Sequence, residues 1–197
     1  MSSIQHPPTT ELLIVRHGQT DWNLQRRIQG HTDIPLNETG KLEAKKLAET
    51  LRNSRFAACY TSDLLRAQET ASILAQSHNL PVTTDTRLRE RHFGPWEGCV
   101  RDELPAHPTS DQTDIESHQD LCLRAFQCFD DLRVQHPDET VLIVTHGGFM
   151  SNILIEVGAF NCPTAHLKTR NTATILMEHA NGKWTVKDIQ GITQVVS

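Results

Sequence analysis

The sequence predicts an α/β fold of three layers, in which a mostly parallel central sheet carries helices on both faces. Short apolar runs, of the kind found in strands that are buried on both faces, alternate with segments whose apolar residues recur at helical spacing. Two of the apolar runs, residues 13–15 and 142–144, have the same sequence and are followed by nearly the same three residues. Both runs are therefore expected in one sheet.

The first predicted strand covers residues 12–15 and has a later counterpart. The six residues that end at His146-Gly147 match the six that end at His17-Gly18, except that Thr145 stands where the first copy has Arg16. Ligands of open α/β sheets bind at the carboxyl ends of parallel strands. If the two strands are neighbours, both imidazoles lie at that edge.

Three helices are predicted between and around these strands from their apolar stripes. The stripes are Ala44, Leu47, Ala48 and Leu51; Leu64, Ala67, Ala71 and Leu74; and Cys122, Ala125, Phe126 and Phe129. A strand over residues 57–60 leads to the second helix, where Ser62 or Asp63 is available as the N-cap and Arg66 falls in the first turns. The third helix ends near His136, before a proline.

Two further elements complete the prediction. A helix opens after His146, at Gly147, and its free N–H groups would add affinity for an anion. Residues 174–178 and 183–187, which flank an Ala-Asn-Gly turn, predict a final hairpin.

The chain of 197 residues is long enough for one complete core without metals or disulfides. We predict a flexible N-terminus over residues 1–10 and a single domain over residues 11–197. Residues 100–119 are poor in apolar side chains and contain two prolines, so a short lid is predicted there. No pattern in the sequence indicates an oligomeric state.

Composition excludes several classes of partner. The net charge of -5 argues against a general nucleic-acid binder, which usually carries a basic stripe. No segment has the length and apolarity of a membrane span, and residues 1–10 lack the apolar core of a signal peptide. Five cysteines without a Cys-x-x-Cys pair favour free thiols in a reducing compartment, so a cytoplasmic location is expected.

The chemistry is predicted from the ends of the two matched strands. A histidine at a strand end beside an obligatorily charged arginine, as in Arg16-His17, is well placed to meet an anion. Nearby arginines favour the neutral, nucleophilic imidazole. Phosphoryl transfer requires several cationic or N–H donors around one nucleophile, and Arg16, Arg66 and His146 are the candidates.

A leaving alkoxide also needs a proton, and Glu90 is the best-placed carboxylic acid. Because glutamate is ordinarily ionised at neutral pH, this role predicts a mildly acidic activity optimum. The alternative is that Glu90 forms an ordinary ion pair with Arg87, Arg89 or Arg91.

Six spaced segments resemble the motifs of the histidine phosphatase superfamily, the phosphoglycerate mutase-like group. They are residues 16–23, 27–30, 33–36, 61–67, 90–98 and 144–148. The resemblance implies a sheet flanked by helices, and it implies roles for individual residues. His17 would accept the phosphoryl group, Glu90 would donate the proton, and Arg16, Arg66 and His146 would form the phosphate pocket. Supporting contacts would come from Asn23, Gln29, Gly30 and Gly147, with no metal and no organic cofactor.

Two departures indicate the phosphatase branch of that family. The mutases carry a tyrosine where this chain has Phe93, which we take as a substrate-binding residue. They also carry a longer insertion with paired arginines, whereas residues 100–119 here hold five acidic residues against Arg101 alone. A lid of that charge should repel polyanions, so net hydrolysis of a small-molecule phosphate monoester is favoured.

Three alternatives stay open. They are a cofactor-dependent phosphoglycerate mutase, a noncatalytic phosphate-binding module and a metal-dependent hydrolase. The last is not supported by spacing, because no His-Glu-x-x-His or similar chelating cluster occurs in the sequence.

Overall fold

The computed structural model describes residues 9–104, 114–160 and 166–195. Its strands are β1 (Thr10–Arg16), β2 (Ala58–Thr61), β3 (Val82–Thr84), β4 (Thr140–Thr145), β5 (His166–Ala180) and β6 (Lys183–Val195). Its α-helices are α1 (Asp21–Leu24), α2 (Glu38–Leu51), α3 (Leu65–Gln76), α4 (His118–Gln135) and α5 (Gly147–Glu156). Single turns of 3-10 helix lie at Thr86–Leu88, Gly94–Trp96 and Arg101–Glu103.

All six strands form one sheet in the order β3-β2-β4-β1-β5-β6. The pairs β3-β2, β2-β4 and β4-β1 are parallel, whereas β5 and β6 join at one side as antiparallel strands. The predicted mostly parallel α/β sheet is therefore confirmed, and β1 and β4 are direct neighbours.

The sheet has an apolar core on each face. Successive side chains of a strand point to opposite faces. Leu12 and Ile14 accordingly join a core with α4 and α5, while Val15 joins the other core with α2 and α3. Because both faces are covered, the continuous apolar runs of β1 and β4 are explained, and the three-layer prediction is confirmed.

Several element predictions need correction. The sequence did not indicate β3 or α1, and the final hairpin is far longer than the segments we predicted. Neither Ser62 nor Asp63 is the N-cap of α3. That position is Leu64, and the N–H of Leu65 donates to Asp33 Oδ1 from another loop (2.7 Å).

The predicted segment boundaries also shift. Thr10 is fully buried and begins β1, so the flexible N-terminus predicted through residue 10 extends too far into the chain. Residues 1–8 lie outside the described residues, as do residues 105–113 of the predicted lid. At the end of the lid, α4 already begins at His118.

None of the helices in the described ranges combines the length and the apolarity needed to cross a membrane.

Candidate active site

The ends of β1 and β4 bring the two predicted histidines together. Arg16 is paired with Thr145 in the parallel register, so the next residue of each strand, His17 and His146, leaves the sheet at the same edge. Their ring centroids are 5.3 Å apart. Backbone pairing, rather than a loop, thus sets the distance between the two imidazoles.

His17 is 2% exposed and has one ring nitrogen fixed. Its Nδ1 lies 2.7 Å from the carbonyl oxygen of Gly18, which can only accept, so the proton resides on Nδ1. Burial, followed by the charges of Arg66 and Arg16, lowers the pKa of His17 well below its ordinary value. The ring is neutral at physiological pH, and Nε2 carries the nucleophilic lone pair.

The backbone of His17 is held from both sides. Its N–H donates to Thr145 O (2.9 Å), and its carbonyl accepts from Asn171 Nδ2 at 3.1 Å. Asn171 lies in a break of the β5-β6 register between Thr169 and Thr174, where Thr172 adopts a φ of 56°. Asn171 is a residue of the site that the sequence did not predict, although the polar run that interrupts the apolar alternation of β5 is a signal for it.

Arg66 is completely buried near the start of α3. Its guanidinium donates to the carbonyls of Gly30 (2.7 Å) and Thr32 (2.9 Å), and its Nε donates to His146 Nδ1 (3.2 Å). Burial lowers the pKa of Arg66 to about 10, so it stays a cation at neutral pH. A guanidinium has five N–H donors. Three are engaged within the described residues, and two remain for an anion.

The tautomer of His146 follows from these contacts. Since Nδ1 accepts from Arg66, the proton lies on Nε2, which is 2.7 Å from Ser62 Oγ. Burial and the charge of Arg66 lower the pKa of His146 well below its ordinary value. Ser62 was considered only as a helix cap, and the structure shows instead that it fixes the second imidazole.

Arg16 supplies the second guanidinium. Its Nη1 donates to the Thr169 carbonyl, while its Nε is buried and has no partner among the described residues. A Cβ built on Gly147 would lie 3.0 Å from that Nε, which places the N-terminus of α5 directly against the guanidinium. A buried, unpartnered N–H is costly, so a ligand acceptor is expected at this position.

Glu90 lies at the same helix N-terminus. Its Oε1 accepts from the N–H groups of Arg91 and Phe149 (both 2.8 Å), and its Oε2 accepts from Gly148 N–H at 2.9 Å. A Cβ on Gly148 would lie 2.5 Å from Oε1, so only glycine permits this approach. The ion-pair alternative is wrong for the described contacts. Arg87 pairs with Asp85 and Asp131, and Arg89 pairs with Asp63.

α1 and the loop after it contact the residues around the two histidines. Gly30 adopts a φ of 51° and turns its carbonyl to Arg66. Gln29 Oε1 and Asn23 Oδ1 both accept from Thr20 Oγ1, at 3.1 Å and 3.2 Å. Asn23 Oδ1 also accepts from Asn171 Nδ2, which contacts His17. Hydrogen bonds therefore connect Asn23 and Gln29 to Asn171 beside His17, and Gly30 to Arg66 beside His146. The phosphate contacts predicted for Asn23, Gln29 and Gly30 stay a prediction.

A family model identified as the histidine phosphatase superfamily (branch 1) matches residues 12–191. The chain belongs to this superfamily. It is 33% identical over 180 residues to an uncharacterized phosphatase, PhoE, of Bacillus subtilis, covering 91% of this chain and 93% of that protein. It is 34% identical over 163 residues to a 2,3-bisphosphoglycerate-dependent phosphoglycerate mutase 2 of Gloeobacter violaceus, covering 74% of each.

Solved structures agree with this membership. The structure of mycobacterial glucosyl-3-phosphoglycerate phosphatase with VO3 has a TM-score of 0.80 and 28% identity, and the match covers 90% of this chain and 97% of that one. The named phosphatases among the relatives support the phosphatase interpretation over the mutase alternative.

The sequence predicts Phe93 as a substrate-binding residue of this histidine phosphatase. Phe93 lies three residues after Glu90, with the Arg91 guanidinium 5.6 Å from its ring centroid. Glu97 was not predicted as a site residue. It accepts from the N–H groups of His31 and Thr32 (both 2.9 Å), and so it holds the turn whose carbonyls bind Arg66.

One group of possible metal ligands occurs among the described residues of this histidine phosphatase, and sequence spacing did not reveal it. His118, Cys122 and Glu156 have ligating atoms within 4.8 Å of one another. Glu156 is the last residue of α5, while His118 and Cys122 lie in the first turns of α4. The His118 nitrogens already contact Asn152 Oδ1 (2.6 Å) and Glu156 Oε2 (2.9 Å). The Cys122 thiol lies 3.7 Å from one ring nitrogen of His118 and 3.9 Å from the other. The sulfur therefore faces the side of the ring and is not in line with the lone pair of either nitrogen.

Proposed function

We propose that this protein hydrolyses phosphate monoesters of small metabolites through a phosphohistidine at His17. The observation that carries the proposal is the convergence of His17 Nε2 with two guanidinium groups and a second imidazole at one sheet edge. A neutral nucleophile beside fixed positive charge suits attack on a phosphoryl dianion, whose transition state needs charge stabilisation more than it needs a base.

Two steps complete the reaction. Nε2 of His17 attacks phosphorus, the ester P–O bond breaks, and the Glu90 carboxyl gives its proton to the leaving alkoxide. Water then attacks phosphorus, Glu90 takes a proton from that water, and the N–P bond breaks to release inorganic phosphate. Arg16 and Arg66 hold the phosphoryl oxygens, and His146 supports Arg66.

No metal and no organic cofactor takes part in this proposal. The site is built from an imidazole nucleophile and guanidinium groups, which supply the attacking group and the positive charge that a metal ion would otherwise supply. The N–H groups of Gly148 and Phe149 bind the Glu90 carboxylate instead of an anionic ligand. We also propose a cytoplasmic location, which the free thiols of Cys59, Cys99, Cys122 and Cys128 support.

The alcohol part of the substrate is proposed only as a small metabolite. The relatives include a glucosyl-3-phosphoglycerate phosphatase and a metal-independent phosphoserine phosphatase. A phosphorylated sugar acid and a phosphorylated amino acid are therefore the first two candidate classes for this chain.

A panel of phosphate esters, assayed with excess EDTA on wild type and His17→Ala, tests the proposal. It includes p-nitrophenyl phosphate, phosphoserine and 3-phosphoglycerate with and without its bisphosphate primer. We expect release of inorganic phosphate from wild type and a loss of at least ~10³-fold in His17→Ala. Rapid quenching should trap phosphate on His17 in a bond that survives alkali and is lost in acid.

Each alternative has its own outcome in that panel. Isomerisation of phosphoglycerate faster than phosphate release would establish the mutase. Binding of phosphate without turnover of any ester would establish a noncatalytic module. Activity that disappears with EDTA and returns with a divalent cation would establish a metal-dependent hydrolase.

A further inference from the structure

The segment that carries Glu90 belongs to neither a strand nor a helix. Residues 89–92 follow a turn of 3-10 helix and make no sheet ladder. Buried backbone groups outside regular structure still need partners. Side chains bind several of these groups here, and one of them, Arg124, binds more than one carbonyl.

Arg124 of α4 spans this segment. Its Nη1 donates to the carbonyls of Arg87 (2.7 Å) and Arg89 (2.8 Å), and its Nη2 donates to the carbonyl of Glu90 (3.0 Å). The remaining carbonyl of the run, that of Leu88, accepts from Thr145 Oγ1 (2.7 Å). Arg124 and Thr145 thus bind four consecutive carbonyls, and the Glu90 carbonyl also lies 2.9 Å from His31 Nε2.

Glu116 holds the other side of the guanidinium. Its Oε1 accepts from Arg124 Nε (2.6 Å) and its Oε2 from Arg124 Nη2 (2.8 Å). The pair is largely shielded, with side chains 18% and 15% exposed. Oε2 also accepts from His92 N–H (3.1 Å), and the Glu116 carbonyl accepts from Arg91 Nε (2.7 Å). Glu116 thus forms hydrogen bonds with both residues that follow Glu90, Arg91 and His92.

We propose that Arg124 and Glu116 are positioning residues that set the location of the Glu90 carboxyl for proton transfer. This rests on the proposed function, in which Glu90 is the proton donor. Arg124 and Glu116 fix the chain on which Glu90 sits, while α5 fixes its carboxylate. Proton transfer is sensitive to such placement, and an error of about 1 Å can cost ~10²-fold in rate.

The choice of residue supports a positional role. The planar fork of arginine reaches three carbonyls and both carboxylate oxygens at once, which the single ammonium of lysine cannot do. Arg124→Lys keeps the charge opposite Glu116 and so avoids leaving a shielded carboxylate unpaired. It removes the multiple contacts that hold the segment.

The test compares two leaving groups. A p-nitrophenolate leaves without much need of a proton, whereas the serine alkoxide of phosphoserine needs one. Glu90→Gln should therefore lose far more rate on phosphoserine than on p-nitrophenyl phosphate, by ~10² or more. Selectivity is compared in kcat/KM, which reports transfer of the phosphoryl group to His17 and not the later hydrolysis that both esters share. Arg124→Lys should show the same selectivity, with kcat/KM on phosphoserine reduced at least ~10-fold more than on p-nitrophenyl phosphate.

Controls separate this role from a purely structural one. Arg133→Gln, on the same helix and paired with exposed Asp130, should leave both rates unchanged. Glu116→Gln should reproduce the selectivity of Arg124→Lys in weaker form, and it serves if Arg124→Lys does not fold. In the Glu90→Gln background, Arg124→Lys should add no further leaving-group selectivity, because the group that it positions is already absent.

The outcomes are distinct. Equal losses on both esters in Arg124→Lys, or no loss, overturn the positioning role while leaving the proposed function intact. Additive selectivity in the double variant also overturns it. Absence of leaving-group selectivity in Glu90→Gln itself refutes Glu90 as the proton donor and so removes the basis of this inference, whereas the phosphohistidine at His17 is tested separately by the panel of esters on His17→Ala.

Discussion

At the scale of single residues, the surroundings that bury His17 also keep its imidazole neutral and nucleophilic. The arginine charges and the loss of hydration both disfavour the imidazolium, while the Gly18 carbonyl fixes the remaining proton on Nδ1. A solvated histidine would be partly protonated near pH 6.5. At the sheet edge the ring stays unprotonated at Nε2, so the lone pair of that nitrogen is available for attack.

The pH dependence of activity follows from this. Because the pKa of His17 is lowered well below its ordinary value, its neutral fraction stays constant as pH falls through 6.5, so kcat/KM on p-nitrophenyl phosphate should not fall with the titration of a free imidazole. A pH-rate profile that falls tenfold per unit below pH 6.5 would contradict this assignment.

Replacement of Arg66 by lysine tests whether the site needs the forked guanidinium that binds the loop carbonyls and His146. Lysine keeps the charge but loses the geometry that holds Gly30, Thr32 and the ring together. We expect Arg66→Lys to lower kcat on p-nitrophenyl phosphate by ~10²-fold or more. Arg52→Lys, at the exposed end of α2, is the matched control and should retain wild-type kcat. Near-normal turnover in Arg66→Lys would mean that charge alone suffices.

At the scale of elements, the part of the site that sequence could predict is the part made by strand ends. The similarity between the sequences around His17 and His146 predicts both rings at one edge of the sheet, because the carboxyl ends of parallel strands lie at the same edge. The supporting partners, Ser62, Asn171 and Arg124, come from a loop, a strand irregularity and a helix face. Their contacts depend on tertiary packing, which no local pattern encodes.

The same reasoning explains the missed elements. β3 has three residues, two of them exposed, so it lacks an apolar run that would predict it. The long extension of β5 and β6 carries a register shift between Thr169 and Thr174 that breaks the alternation of side chains. Sequence patterns predict elements that bury a regular face, and these elements do not.

Gly148 of α5 provides an element-scale prediction. A Cβ there would meet Oε1 of Glu90 at 2.5 Å, so Gly148→Ala must displace the carboxylate or the helix start. Alanine favours a helix more than glycine does. Gly148→Ala should therefore keep its melting temperature within a few degrees while kcat on phosphoserine falls at least ~10-fold.

Two comparisons make the Gly148 experiment decisive. Glu156→Ala, at the exposed end of the same helix, should change the melting temperature and kcat on phosphoserine less than Gly148→Ala does. An unaltered kcat in Gly148→Ala would show that Glu90 does not need its bonds to the start of α5.

At the scale of the whole molecule, the two buried imidazoles link stability to pH. Both have a pKa below the value that they would have in the unfolded chain. Between the lowered folded pKa and about pH 6.5, the unfolded state binds more protons, so stability is full above that range and falls with decreasing pH. Each neutral imidazole contributes a slope of up to about 1.4 kcal/mol per pH unit.

Chemical denaturation of wild type and His17→Asn between pH 5 and pH 7.5 measures this linkage. The variant lacks one of the two imidazoles, so its free energy of unfolding should fall less steeply as pH decreases from 6.5. Parallel curves for the two proteins would show that His17 gains protons equally in both states, which is incompatible with a buried neutral ring.

The direct pairing of β1 with β4 has a wider consequence. The spacing of the two rings is fixed by main-chain hydrogen bonds between two neighbouring strands, so it does not depend on the sequence of the loops around the site. Loops can therefore change in evolution while the distance between the two imidazoles stays the same. New substrate preferences should be reachable by exchanging loops between relatives while this strand pair is kept.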